Sequence, residues 1–235
     1  MQKTIYVESI NHDVVLARRK GTRSLRLAIK SDGTIRLSIP YLVSERQALK
    51  FIEQKSEWIA QHHKKQNILE PNSHIGKSHR LIFEQSDVKT IKTRLSTNLL
   101  IIKFPLDSEW SSTLVQKSAR KACERALKKE SENLLPQRLE TLSKHFNISY
   151  KSCTVKKLKS RWGSCDSNKN ITLNIYLIQL DWKLIDYVLA HELAHTIHQH
   201  HKSDFWSYLE SLQPDCKERR KLLKQMPTDI LPTSF

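Results

Sequence analysis

Apolar and polar residues alternate with a period near two through the first forty positions. TIYVES (4–9), VVLARR (14–19), LRLAIK (25–30) and TIRLSIP (34–40) each read as a strand with one covered face. Ser31-Asp32-Gly33 lies between the last two and predicts a hairpin. The period changes at Ser44. Ser44 and Gln47 form a capping-box pair, which opens a helix expected over about 44–66. Its apolar residues are Ala48, Phe51, Ile52, Trp58 and Ile59, and it fades in the polar run His62-His63-Lys64-Lys65-Gln66.

Residues 67–78 read as a loop, with Pro71, Asn72, Ser73 and Gly76. HRLIFEQ (79–85) and NLLIIKF (98–104) predict two further strands, and Pro105 to Ser112 reads as a boundary. The expected organisation is a β-rich accessory region over 1–108 with one helix, then a second domain over 109–235. Helical spacing runs from 112 to 146. Val115, Ala119, Ala122 and Ala126 share one face, and Leu135, Leu139, Leu142 and Phe146 another. Pro136 falls between these sets, so two helices or one bent helix are expected. SYKSCTVKKLKSRWGSC (149–165) and NITLNIYL (170–177) read as strands joined by a polar hairpin at 166–170. A helix over 182–199 buries Leu184, Ile185, Val188, Leu189 and Ala194. Two short helices close the chain, with Ser203 and Asp215 as expected caps. No internal repeat is visible. The fold class expected is α+β.

Composition narrows the class. The 235 residues are 38% hydrophobic with four glycines and seven prolines, which suits a globular protein. No apolar run is long enough to span a bilayer, and MQKTIYVESINHDVV has no continuous apolar core of a secretory signal. No membrane partner is expected, and the expected compartment is the cytoplasm. Cys123, Cys153, Cys165 and Cys216 form no C-x-x-C pair, which argues against a thiolate zinc knuckle or a disulfide framework and for free, partly buried thiols. The net charge is +16, split evenly at +8 over residues 1–110 and +8 over 111–235. A basic tail is excluded. Such a field attracts nucleic acid, nucleotides or other acidic partners without defining a site.

HELAHTIHQHH (191–201) holds five of the eleven histidines. On a helix, His191 and His195 lie one turn apart and point the same way, which suits two corners of a zinc tetrahedron. Glu192 is displaced around the helix, where its carboxylate can reach a water on the metal as general base. The third ligand must come from beyond the helix. His198, His200 and His201 compete; a chain that turns back after about residue 199 favours His201, with His200 as the fallback. His198 reads as a polar helix-end residue or a supporting contact. One zinc per chain is expected.

KSRWGSC (159–165) is the second cluster. Gly163 would allow close backbone approach. Arg161 suits a carboxylate, a phosphate or a developing oxyanion. Ser164 joins them as a tentative substrate-binding residue, and Trp162 reads as core.

These segments together resemble the YgjP-like metallopeptidase family, a zincin group related to the SprT and WLM metalloproteases. KSRWGSC, NITLN, IDYVLAHELAH, HHKSDFW and QPDCKERRKLLK are similar to that family's successive blocks, and RKGTRSLRLAIKSDGTIRLSIP and IGKSHRL to its accessory region. The resemblance covers nearly the whole chain. It implies zinc on His191, His195 and His201, Glu192 as general base, and a minigluzincin-like core in which a small sheet lies over the HExxH helix. Asp181 stands where the family often has proline, and His200 where asparagine is common.

Three functions are compatible with these residues. The first is a zinc-dependent peptidase acting on a peptide or protein, with Arg161, Tyr176 or Tyr187 holding the oxyanion. The second is a metal-dependent nucleotide pyrophosphatase, with Lys156, Lys157, Lys159 and Arg161 on phosphates. It requires those residues to line the metal cleft. The third is a nucleic-acid-associated protease or binding module.

Overall fold

The strands of the first segment close one side of a small sheet that two helices cover. The structure, a computed structural model, describes residues 2–18, 21, 24–29, 34–66 and 68–228, with 63–66 as backbone alone. The chain divides into two compact units, 1–68 and 69–235.

In the first unit, β1 (Gln2–Val7) pairs antiparallel with β2 (His12–Arg18). β2 runs parallel to β4 (Ile35–Ile39), which pairs antiparallel with β3 (Arg26–Ile29). The sheet order is β1-β2-β4-β3. Alternation works as expected: Val14, Leu16, Ile35, Leu37 and Ile39 are buried against Ala48, Ile52 and Ile59. The turn Ser31-Asp32-Gly33 lies outside the described residues. The Ser44–Gln47 capping box is present in both directions. The single expected helix is instead two, α1 (Glu45–Gln54) and α2 (Ser56–Gln66). They part at Lys55, whose N–H turns back to the Ile52 carbonyl at 3.0 Å, a tighter step than the α-helical one.

The second unit begins with a sheet of the same form. β5 (His74–Ile75) is antiparallel to β6 (His79–Gln85), β6 parallel to β8 (Leu99–Phe104), and β8 antiparallel to β7 (Lys92–Leu95). The order is β5-β6-β8-β7. The two sheets thus share strand order and pairing sense, a structural repeat that the residues do not betray. The boundary expected near 108 is displaced. Leu81, Leu100, Ile102 and Phe104 join one core with Val115, Ala119, Ala126 and Leu189, so β5–β8 belong to the second unit.

α3 (Thr113–Phe146) is one continuous helix of 34 residues through Pro136. The carbonyl deprived of its bond belongs to Glu132, which is exposed and open to water, while Leu135 and Leu139 are held in the core. Next come β9 (Ser152–Lys156), β10 (Gly163–Cys165) and β11 (Asn170–Asn174). The sheet order β10-β11-β9 leaves β10 at an edge. NITLNIYL is a strand only as far as Asn174. There the Asn174 side chain accepts from the Tyr176 amide and starts a 3-10 turn over Ile175–Gln179. α4 (Trp182–His195) packs on α3, and Arg138 grips Asp186 with two 2.7 Å bonds. α5 (Ser203–Leu212) and α6 (Cys216–Lys224) complete the unit. Asp215 takes the N-cap position of α6 as expected, but its side chain makes no capping bond and pairs with Arg219, while Ser203 is already the first helical residue of α5. All four cysteines are free thiols. Among the described residues no helix is long and apolar enough to cross a membrane.

Candidate metal centre

Asp181 starts α4 by accepting from the Leu184 amide at 2.9 Å. Its buried stripe of Leu184, Ile185, Val188 and Leu189 fixes the helix rotation, so His191 and His195 emerge on one side. The helix stops at His195, four residues short of the expected end. The His198 amide turns back to the Ala194 carbonyl, and the chain reverses into α5. That reversal returns His201.

The Nε2 atoms of the three rings converge: His191 to His195 3.2 Å, His195 to His201 3.0 Å, His191 to His201 3.2 Å. Hydrogen bonds among the three cannot satisfy this arrangement. His195 Nδ1 donates to the His198 carbonyl at 2.9 Å, which leaves a lone pair on its Nε2. Tetrahedral zinc with Zn–N bonds of about 2.0–2.1 Å spaces its nitrogens roughly 3.3 Å apart, so the residues present fit the ion. Burial pushes all three imidazoles below their usual range, His191 to about 3; neighbouring rings add to it, Arg220 does so at His191 and His201, and the bond to the His198 carbonyl draws His195 partly back. At neutral pH the rings are uncharged, the form that ligates metal. His200 is not in this cluster; it lies 3.6 Å from Asp204, which also takes His198 at 3.3 Å.

Glu192 is 4% exposed and accepts no hydrogen bond from any described residue. Burial pushes its carboxyl up to about 8, and the Arg161 charge draws it partly back. Gly163 on β10 faces it. A methyl group there would sit 2.6 Å from Glu192 Oε1 and 2.8 Å from its Cγ. The close approach expected at Gly163 is thus to this carboxylate. Strand alternation turns Ser164 to the other face, with Thr172 and Thr154, so its side chain is not brought to the histidines. Arg161 is exposed, and its carbonyl is tied to Asn174 Nδ2 at 2.9 Å. Trp162 is half-buried against the core, as expected.

Of the two tyrosines, only Tyr187 belongs here. Its ring lies 6.0 Å from that of His191, and burial pushes its hydroxyl up to about 12. Tyr176 is buried elsewhere, with its hydroxyl donating to Glu124 at 2.9 Å. Lys156 and Lys157 also fail to line the metal cleft. They border a separate cavity of about 490 Å³ with Lys121 and Arg125, where Lys157 pairs with Glu124 at 2.6 Å.

Two aromatic residues were not singled out in the sequence. Phe205 is fully buried against all three imidazoles, its centroid 5.0, 4.5 and 4.8 Å from His191, His195 and His201. Trp206 donates Nε1–H to the His201 carbonyl at 3.1 Å and stacks on that ring at 5.5 Å. The signal was their place four and five residues after His201, one helical turn on.

The family model described as the YgjP-like metallopeptidase domain matches residues 23–226. The chain belongs to the YgjP-like metallopeptidase family. It is therefore a metallohydrolase of the metal-dependent peptidase class, and a divalent metal is part of that chemistry. Two solved structures resemble part of this YgjP-like chain. The metallopeptidase zymogen of Pyrococcus abyssi abylysin is 23% identical, over 40% of this chain and 95% of that one, with a TM-score of 0.36. The metallopeptidase zymogen of Methanocaldococcus jannaschii jannalysin is 22% identical, over 39% and 94%, with a TM-score of 0.35. No curated protein matches the chain.

Proposed function

We propose that the chain is a zinc-dependent peptidase of the zincin type, with His191, His195 and His201 as ligands and Glu192 as general base. The observation that carries this reading is three ring nitrogens within 3.2 Å of one another beside a buried, unpartnered carboxylate. A divalent ion held there acidifies water, polarises a carbonyl and favours the ionised form of a neighbouring carboxylate.

Glu192 takes the proton of the attacking water and delivers it to the leaving amine. Gly163 leaves room for that carboxylate and keeps its position narrow. β10, free on one side, offers backbone donors and acceptors to an extended peptide, as an edge strand over α4 in a minigluzincin-like core. Tyr187, held as a protonated phenol, and Arg161 are the donors available to the developing oxyanion. The peptide reading is preferred to phosphoanhydride cleavage because Lys156 and Lys157 face a different cavity.

Metal content of wild type and His195→Ala, measured by mass spectrometry, tests the centre. About one zinc per chain is expected from a single three-histidine site, and none in the variant. Peptide digestion with Glu192→Gln as the inactive control then tests the reaction. Metal-free wild type after purification in zinc would sink the reading.

A further inference from the structure

Arg220 is a cation near the metal centre whose place the metal reading does not explain. Its guanidinium carbon lies 4.0 Å from the centre of the Trp206 ring. Trp206 is itself fixed to His201, by stacking and by its Nε1–H. Arg220 therefore has a defined place relative to the three histidines, and its charge reaches His191, His201 and Tyr187. A fixed cation beside a site for a divalent cation opposes metal binding. No described acid pairs with Arg220 to relieve this.

The same indole walls a cavity of about 280 Å³ that Cys216, Lys217, Arg220, Lys221 and Lys224 also line, with Glu210 as the one acid among the described residues of its wall. Those cations share one face of α6 at helical spacing, where like charges repel. Lys217, next on that face, is already paired with Glu210 at 2.7 Å. The remaining three are left for an anion, and the volume suits one side chain or chain end. A planar guanidinium on a rigid ring is suited to two parallel bonds with a carboxylate.

We propose that Arg220, seated on Trp206, is a specificity-determining residue that pairs with a substrate carboxylate, so that acidic peptides are selected. The selection rests on the peptidase reading above. The carboxylate comes from an acidic side chain or from a free C-terminus.

The test uses the full-length, zinc-loaded Glu192→Gln protein and fluorescein-labelled hexapeptides, read by polarisation. The peptides carry Glu or Gln at one position, each with a free or amidated C-terminus. Binding about tenfold tighter for the Glu peptides assigns the side chain; the same gain for free over amidated ends assigns the terminus. Arg220→Ala should abolish the difference, and Arg220→Glu should turn the preference towards Lys-containing peptides. An unchanged preference in either variant, or none in the parent, overturns the proposal. Inorganic tripolyphosphate competing at Arg220 more tightly than any acidic peptide overturns it in favour of a phosphate ligand. If the preference holds but wild type cleaves none of these peptides, peptide hydrolysis fails while anion recognition by Arg220 stands.

Discussion

Glu130 and Glu192 are carboxylates buried to a similar depth in the same unit, at 5% and 4% exposure, and each faces a glycine. Glu130, on α3, is fully answered. It accepts from the Lys77 backbone amide and from His79 Nδ1 at 3.1 Å. Lys77 in turn donates its ammonium to the Leu180 carbonyl, just before α4. Glu192 has the same burial and no such donors. A buried carboxylate without partners is costly and is retained where chemistry needs it. The glycines differ in kind as well. Gly76 has φ +69°, and a side chain there would meet Glu130 Oε2 at 2.8 Å; Gly163 has no such backbone demand, only the shortage of space. One pair builds the scaffold, and the other leaves a buried carboxylate bare.

The contrast can be broken from either side. Glu192→Gln should lower peptide turnover about 10²–10⁴-fold, the usual worth of a positioned general base. Zinc content should stay unchanged, and the melting temperature should not fall, because an unpaired acid has become a neutral amide. Glu130→Ala should do the opposite. Removing one partner of a buried pair costs about 3–5 kcal/mol, readable as a lower denaturant midpoint, with metal binding kept in the folded fraction. Gly163→Ala should cut turnover roughly a hundredfold by displacing Glu192, and the overlap with this buried side chain should also lower stability by about 1–3 kcal/mol. Gly76→Ala should have the smallest effect, about 1–2 kcal/mol from the left-handed backbone plus some crowding of Glu130, and turnover per folded molecule should hold. A Gly76→Ala enzyme that folded normally but lost turnover would erase the distinction.

The histidine pair and the return of His201 were legible because helix spacing and a short reversal are local properties. His201, the favoured third residue, is the one that joins the cluster; the fallback, His200, lies 3.6 Å from Asp204 near the start of α5 instead. Gly163 was legible as a place of close approach, though not the partner, since 29 positions separate it from Glu192. Sheet pairing and helix packing decide that meeting. Tyr176 and Tyr187 look alike in sequence, and only the 3-10 turn after Asn174 carries the first away to Glu124. The strand β7, KTRL, leaves no alternation in the sequence because all four of its residues are exposed. Pro105 follows the end of a strand, not of a unit, so a proline signal near 108 does not mark the boundary that lies at 68–69.

The shared order of β1-β2-β4-β3 and β5-β6-β8-β7 has a consequence for how the chain matures. Each sheet needs a parallel pairing closed over a long excursion, and each offers the same open positions while it waits. A strand from one half can then be captured by the other, a known hazard of chains that repeat a module. The protection lies in unlike sequences. Val14 and Leu16 meet Ile35 and Leu37 across one centre, whereas β6 and β8 need the apolar side of α3 to bury theirs. Unlike cores let each strand bury its apolar face only in its own sheet, which favours correct pairing.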